Sequence, residues 1–323
     1  MLSYSLRRLA QIIPLLVGVI TFTFVLIQLA PGDPVNVLLG EFPASPQFVA
    51  DLKAELGLDK SVFRQYTAYV GSILEGDFGF SLRSRRPVLD LIVSRMPATL
   101  ILMTTSMTIA AVVGVLLGVR SARKPYSLTD NVSSFISIAG FSMPVFFTGQ
   151  ILLIVLAVEL DLFPVLGMRS IRNPSGGLSG LLDLGWHLTL PAMVLAFRYL
   201  AINTRITRAS MLEVLERDFI ITARSKGLSE RRVVWRHGFR NALMPITTVM
   251  GFNFGYILTG SVLVESVFGW PGMGLLLFDS LSSRDHPVTL GIFIICAVTA
   301  MLANFLTDIG YAFLDPRIRF TKT

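Results

Sequence analysis

The sequence predicts an all-α polytopic membrane protein with six transmembrane helices, and two observations carry that expectation. Of its 323 residues, 53% are hydrophobic and 15% are charged, with a mean hydropathy of +0.66. Ordinary water-soluble domains carry about 25% charge, so the solvent for most of this chain is lipid. The apolar residues also fall in blocks. Uncharged windows at Leu9–Gly32, Met96–Val119, Asn131–Val158, Asn241–Val264 and His286–Thr307 are each long enough to cross a hydrocarbon core of about 30 Å as a helix. A sixth, Gly185–Asn203, is apolar but interrupted by Arg198.

Lys and Arg orient these spans, because positive residues in short loops stay on the cytoplasmic side. With the N-terminus inside, the inner segments hold Arg7 and Arg8, then Arg120, Arg123 and Lys124, then the dense run from Arg198 to Arg240, then Arg317, Arg319 and Lys322. The short outer loops hold only Arg169, Arg172 and Arg284, and an even number of spans returns both termini to the cytoplasm. The net charge of +7 follows from this asymmetry and implies no nucleic acid, although basic loops facing anionic lipid look alike at this level. The first apolar run is too long for the core of a secretory signal and no small-residue cleavage pattern precedes the polar segment, so it is expected to persist as a helix. Cys296 is the single cysteine and forms no internal disulfide.

The outer segment 31–95 reads as water-facing. Ser45-Pro46 starts a helix in which Phe48, Leu52 and Leu56 recur at helical spacing before Gly57, and Val62, Tyr66, Tyr69 and Ile73 mark a second helix, closed by Gly76-Asp77-Phe78-Gly79. Their apolar faces require burial on the chain's own spans or on an external partner. On the inner side, Glu216–Pro245 is long and basic. Asp218 is expected to cap a short helix bearing Phe219, Thr222, Ala223 and Lys226, with Gly227 as its stop; Ser229 starts a second helix carrying Val233 and Val234. Ala223 and Gly227, four apart, would leave one face bare of bulk for a protein partner, with Arg224, Lys226, Arg231 and Arg232 around it. The alternative is a basic hairpin lying at the membrane interface.

Six segments carry a family resemblance. Residues 222–245, TARSKGLSERRVVWRHGFRNALMP, resemble the peptide-permease form of the "EAA" loop of importer-type ABC membrane subunits. Leu29–Pro34 (LAPGDP), Leu56–Asp59 with Gln65-Tyr66, Gly76–Gly79 with Arg86–Val88, Val264–Gly274 (VESVFGWPGMG) and Asp315–Arg319 agree in order and spacing. Together they are similar to the dipeptide/oligopeptide permease family, in its B-type subunit with an outer insertion after the first helix. Ile221-Thr222-Ala223 stands where Glu-Ala-Ala would, a departure usual in the peptide branch.

The resemblance implies a type I ABC importer permease fold. It divides the chain into the N-terminal tip and first helix (1–30), the extracytoplasmic insertion (31–95), a transmembrane core (96–315) and a cytosolic tail (316–323). In that core the later helices would span about 97–119, 132–158, 186–204, 242–264 and 287–309, with a coupling loop at 205–240. It further implies a bacterial inner-membrane location and an ATP-driven importer of peptides or related small solutes. The implied partners are a homologous second permease, two ATP-binding-cassette subunits and an extracytoplasmic solute-binding protein. Coupling to the ATPase would fall to Asp218, Thr222, Ala223, Arg224, Lys226 and Gly227. No phosphate-cradling G-x-x-x-x-G-K-[ST] occurs, so ATP and Mg belong to the partners and the chain itself is expected to bind no cofactor. No catalytic or metal site is expected either, since His187, His237 and His286 are scattered and no nucleophile motif occurs. An ion- or proton-coupled secondary transporter is the other reading, but no internal repeat supports it.

Charges inside the spans are costly enough to need a partner or water. Arg198 either snorkels to the cytosolic interface, continuing a basic face through Arg205 and Arg208, or pairs with Asp308 or lines the inner end of a pathway.

Overall fold

The computed structural model describes residues 2–29, 45–55, 57–81, 83–170, 176–255, 257 and 262–314. The LAPGDP and Asp315–Arg319 segments lie mostly or wholly outside them. Apart from one small hairpin, the regular structure is helical: α1 (Leu2–Leu29), α2 (Pro46–Glu55), α3 (Val62–Leu74), α4 (Val88–Arg123), α5 (Leu128–Ser142), α6 (Val145–Leu152), α7 (Gly177–Leu215), α8 (Asp218–Ser225), α9 (Glu230–Arg232), α10 (Arg240–Gly255), α11 (Val262–Val267), α12 (Met273–Ser282) and α13 (His286–Leu314). Single stretches of π-helix, Leu153–Glu159 and Val233–Phe239, continue α6 and α9.

By length and composition four described helices can cross a membrane: Gln11–Leu29, Val88–Arg123, Gly177–Leu215 and His286–Leu306. The expected third span is not straight. It breaks into Leu128–Ser142 and Val145–Glu159, bent by 106°, because Met143 precedes a proline and takes the extended backbone that this position favours (φ −81°, ψ 131°). Of the expected fifth span, about 242–264, α10 covers the part to Gly255, Ile257 stands in a turn and α11 begins at Val262; residues 256 and 258–261 lie outside the described ones. At 39 residues, α7 is about 58 Å long and runs well past the expected 186–204.

Two compact units are present, Met1–Arg95 with Leu276–Val298, and Met96–Leu275 with Thr299–Thr323. In the first, the expected outer helices form. Ser45 Oγ accepts from the Phe48 amide (3.3 Å) at the start of α2, and Gly57 follows its end with φ +67°. The tyrosine face of α3 lies on α1: Phe24 meets the Tyr66 and Tyr69 rings at 5.3 and 5.8 Å, and Thr21 and Thr23 hydroxyls bond the two phenols at 2.8 and 3.3 Å. Burial of those rings fixes the helix, which has too few residues to be stable alone. After α3 the hairpin Phe80–Ser81/Arg86–Pro87 is tied down by Ser81 Oγ donating to Asp285 (2.6 Å). Val88, Ile92, Val288 and Ile292 form this unit's core, all at most 1% exposed.

In the second unit α7 is the common neighbour. Gly114 and Gly118 of α4 bring its backbone against α7: a Cβ at Gly118 would stand 2.6 Å from Thr207 Cβ and 2.8 Å from the Thr204 carbonyl oxygen. This small-residue seam allows two helices to approach backbone to backbone. α5 meets α7 at Gly140, where a Cβ would stand 3.0 Å from the Phe197 carbonyl oxygen. A core of Leu102, Met103, Leu190, Leu195, Val264, Phe268 and Trp270 fills one region of this unit, and Val119, Met211, Val234 and Ile246 fill another.

Candidate functional site

The long helix α7 ends at Leu215 and leads directly into α8. The turn does not begin as expected. Arg217 (φ −75°, ψ 149°), not Asp218, occupies the cap position, and Asp218 is the first helical residue. The Asp218 carboxylate still stands in the first turn, where it complements the helix dipole. Its backbone carbonyl accepts from the Thr222 hydroxyl (3.0 Å). The stop is as expected: Lys226 and Gly227 amides bond back to the Thr222 and Arg224 carbonyls at 3.1 and 2.9 Å, and Gly227 has φ +73°, the left-handed conformation that glycine adopts without cost. Ser229 then opens α9, its carbonyl accepting from the Val233 amide at 3.0 Å.

The two short helices fold onto each other. Ile220, Ala223 and Val233 make a small core with Leu215 and Leu228 alongside, and Arg224 reaches Glu230 at 3.0 Å. The hydrogen bond from that guanidinium holds the Glu230 carboxyl below the usual carboxylate range, against the opposing effect of partial burial. The expected bare face is therefore split. Ala223 is only 6% exposed and its small side chain lets Val233 close onto α8 from inside the loop. Gly227, by contrast, is open, with no atom within 4 Å of where a Cβ would stand. Asp218, Thr222, Arg224 and Lys226 all face outward, alongside the exposed apolar Phe219 and Ile221. The outward surface thus mixes charge with apolar area, which suits contact with a protein.

Arg198 is exposed along the middle of α7, and no ion pair is formed by it among the described residues. Asp308 belongs to α13, but its side chain lies outside the described ones, as does any pair between the two. Arg208 does not continue a free basic face. Its guanidinium grips Asp130 of α5 with two bonds, Nε–Oδ1 2.6 Å and Nη2–Oδ2 2.8 Å, and the Tyr126 amide donates to the same carboxylate (2.9 Å). Arg205 instead lies over the Phe141 ring at 5.8 Å. Sequence reasoning missed the Asp130–Arg208 pair. Its available signal was Ser127-x-x-Asp130, a helix-start pattern, with the Ser127 hydroxyl accepting from the Asp130 amide (3.4 Å).

A second missed residue lies in the VESVFGWPGMG segment. Glu265 is completely buried, and its carboxylate accepts from Thr99 Oγ1 (2.9 Å), from the Leu275 amide (3.0 Å) and from the Gly274 amide. Thr99 Oγ1 in turn accepts from the Met273 amide (2.7 Å). The first free amides of α12 are thereby satisfied by two side chains, Glu265 from the segment just before the helix and Thr99 from far along the chain. A Cβ at Gly272 would run into the Glu265 carboxylate and the Thr99 hydroxyl, and Trp270, fully buried, donates its indole N–H to the Ala98 carbonyl (2.8 Å).

Among the described residues no group of His, Cys, Asp and Glu is arranged to hold a metal ion. Residues 114–320 match the family described as "Binding-protein-dependent transport system inner membrane component", and residues 1–103 match its companion, "Binding-prot-dependent transport system membrane comp, N-term". The chain is 43% identical over 336 residues to the di/tripeptide transport system permease protein DppB of Pseudomonas aeruginosa, covering 100% of both. It is 40% identical over 339 residues to the dipeptide transport system permease protein DppB of Escherichia coli K12, again covering 100% of both. To the glutathione transport system permease protein GsiC of the same strain it is 38% identical, covering 99% of this chain and 100% of that one. Among solved structures, the inward-facing MetNI methionine ABC transporter shares the fold, with a TM-score of 0.55 at 15% identity over 70% of this chain and 96% of that one. The chain therefore belongs to the inner-membrane permease family of binding-protein-dependent transport systems, in its dipeptide/oligopeptide branch, as a multi-pass subunit of an ABC importer with the type I permease fold.

Proposed function

We propose that this chain and a homologous second permease together form the translocation path of an importer for short peptides or related small solutes. Of two ATP-binding-cassette subunits, one docks on this chain's Asp218–Gly227 turn, and an extracytoplasmic binding protein delivers the solute. The observation that carries this reading is the turn itself: two short helices clipped by Arg224–Glu230 and seated on Ile220, Ala223 and Val233, continuous in chain with a 39-residue helix. A rigid projection of this kind transmits a push at its tip along α7. Asp218, Thr222, Arg224, Lys226 and Gly227 provide the contact surface; Ala223 supports it from within.

Both termini and this turn face the cytoplasm in this reading, and ATP and Mg stay with the partner subunits. The names of the relatives, dipeptide, di/tripeptide and glutathione, support a peptide-class solute. Arg198, exposed at mid-helix where lipid would penalise it, then faces water in the path or a charge such as Asp308. The outer helices expose Phe48, Val62, Phe63 and Leu74, an apolar platform suited to the binding protein or the second permease. The 96–315 core and the 31–95 insertion are the divisions this function requires.

Site-specific crosslinking tests the docking. In a Cys296→Ser background, Thr222→Cys or Lys226→Cys is expected to crosslink to an ATPase subunit in the assembled transporter, and Glu213→Cys, one turn inside α7, far less. Absence of crosslinks from both turn positions, in a complex that still hydrolyses ATP on addition of loaded binding protein, would leave the turn as an interfacial hairpin.

A further inference from the structure

Ser229, Arg231, Arg232, Trp235 and Arg236 line a surface groove of about 430 Å³. All three arginines point outward, and among the described residues none of them has an ion-pair partner. No carboxylate lines the groove; the nearest in sequence, Glu230, is held by Arg224. The opposite face of the same segment is anchored, with Val233, Val234 and Gly238 buried and a Cβ at Gly238 only 3.2 Å from Leu215 and Met211 side chains. The groove is thus a fixed feature of the fold and its cations are free.

Its place along the chain, just before an apolar window, argues for the occupant. Glu230 to Gly255 is one continuous helical run, and the apolar window begins at Asn241. Arg236 precedes that point by five residues, at most about 7.5 Å at the α-helical rise, while the polar headgroup zone is about 5–8 Å deep on each side of the hydrocarbon. Trp235, 39% exposed and edge-on to Phe239 at 5.3 Å, has the half-apolar character of a side chain at this boundary. Arg231 and Arg232 lie a turn further out and reach the same zone with their long stems. We propose that this groove binds the phosphate of an anionic membrane phospholipid, held between the guanidinium groups with Trp235 against its glycerol and upper acyl carbons. The mixed-charge turn at Asp218–Gly227 remains the protein-facing part of the loop. Phosphate recognition by clustered arginines follows their bidentate donor geometry.

Native mass spectrometry of the purified full transporter, with phosphatidylglycerol, phosphatidylcholine or inorganic phosphate added, tests this. The wild type should retain phosphatidylglycerol selectively over phosphatidylcholine, and inorganic phosphate should not displace it. Each arginine replaced by glutamine should weaken retention about fivefold, and R231Q/R232Q/R236Q about a hundredfold, while the corresponding lysine triple, which keeps the charge but loses the bidentate donors, should fall between the wild type and the glutamine triple. Equal phosphatidylglycerol retention by wild type and the glutamine triple would overturn the proposal, as would its displacement by free phosphate. Loss of the ATPase subunits from the glutamine triple with lipid retention unchanged would assign the groove to protein contact instead.

Discussion

Gly227 separates what the fold needs from what a partner needs. Its φ of +73° makes any other residue strained, yet no atom lies within 4 Å of the Cβ position. Replacing it should therefore cost backbone strain and nothing that scales with side-chain size. For Gly227→Ala that strain is about 1–2 kcal/mol, and Gly227→Trp should cost the same to within about 0.5 kcal/mol, the range of ordinary surface substitutions. Gly227→Asn, which tolerates the left-handed region better, should cost less. Thermal unfolding of the purified complex, followed with ATPase subunits removed, measures these values. Uptake should divide the variants differently. If an ATPase surface closes on Gly227, the indole cannot be accommodated, and substrate-stimulated ATP hydrolysis should fall at least tenfold from Ala to Trp, equivalent to about 1.4 kcal/mol at the interface. Matching uptake in the Ala and Trp variants would refute the docking argument, because size would then matter nowhere.

Three other perturbations follow from the geometry. Arg208→Gln strands a carboxylate whose side chain is 3% exposed, whereas Asp130→Asn strands a guanidinium 29% exposed; the first should cost about 3–5 kcal/mol and the second clearly less, with the double variant below the sum in thermal melts, and strict additivity would mean that the two groups are uncoupled. Gly118→Leu forces side-chain atoms into the Thr207 Cβ and Thr204 carbonyl, so the α4–α7 seam must part, at about 1–3 kcal/mol or more; an unchanged melting temperature would show that the helices do not touch there. The Glu230 carboxyl, its pKa lowered by Arg224, stabilises the turn fully above the ordinary carboxylate value of about 4.3 and loses that contribution as pH falls through the lower folded value. Protease sensitivity near Gly227 should therefore be flat from pH 8 to 5 and rise in more acid solution in the wild type, but not show that acid step in Glu230→Gln.

Much of this was legible because membrane and helix periodicities are strong signals. The tyrosine repeat of α3 pointed to a buried face, and the structure lays it on Phe24 of α1; Gly57 and Gly227 were marked as stops and both have positive φ. Hydropathy windows, however, count charges and ignore backbone chemistry, so Pro144 passed unnoticed inside the expected third span and the 106° bend with it. The inward turn of Ala223 depends on Ile220 and Val233 lying on opposite sides of a sharp corner, and helical spacing within one element says nothing about what folds back over it. Asp130 and Arg208 are separated by 78 positions and Thr99 and Glu265 by 166. Pairings at that range are tertiary facts, and a single sequence holds no periodic trace of them.

The buried Glu265 changes what kind of object the Val264–Leu275 connection is. Chain segments joining helices usually run over the surface and open easily. Here a carboxylate and a threonine hydroxyl share a hydrogen bond and hold the Leu275 and Met273 amides, while the Trp270 indole N–H is held by the Ala98 carbonyl next to that threonine, so releasing one amide leaves buried polar groups without partners. Opening such a segment residue by residue is costlier than opening it as a block. In hydrogen exchange the amides of Trp270, Met273 and Leu275 should disappear together, on the slow timescale of the helices they join, giving this connection the cooperativity of a core.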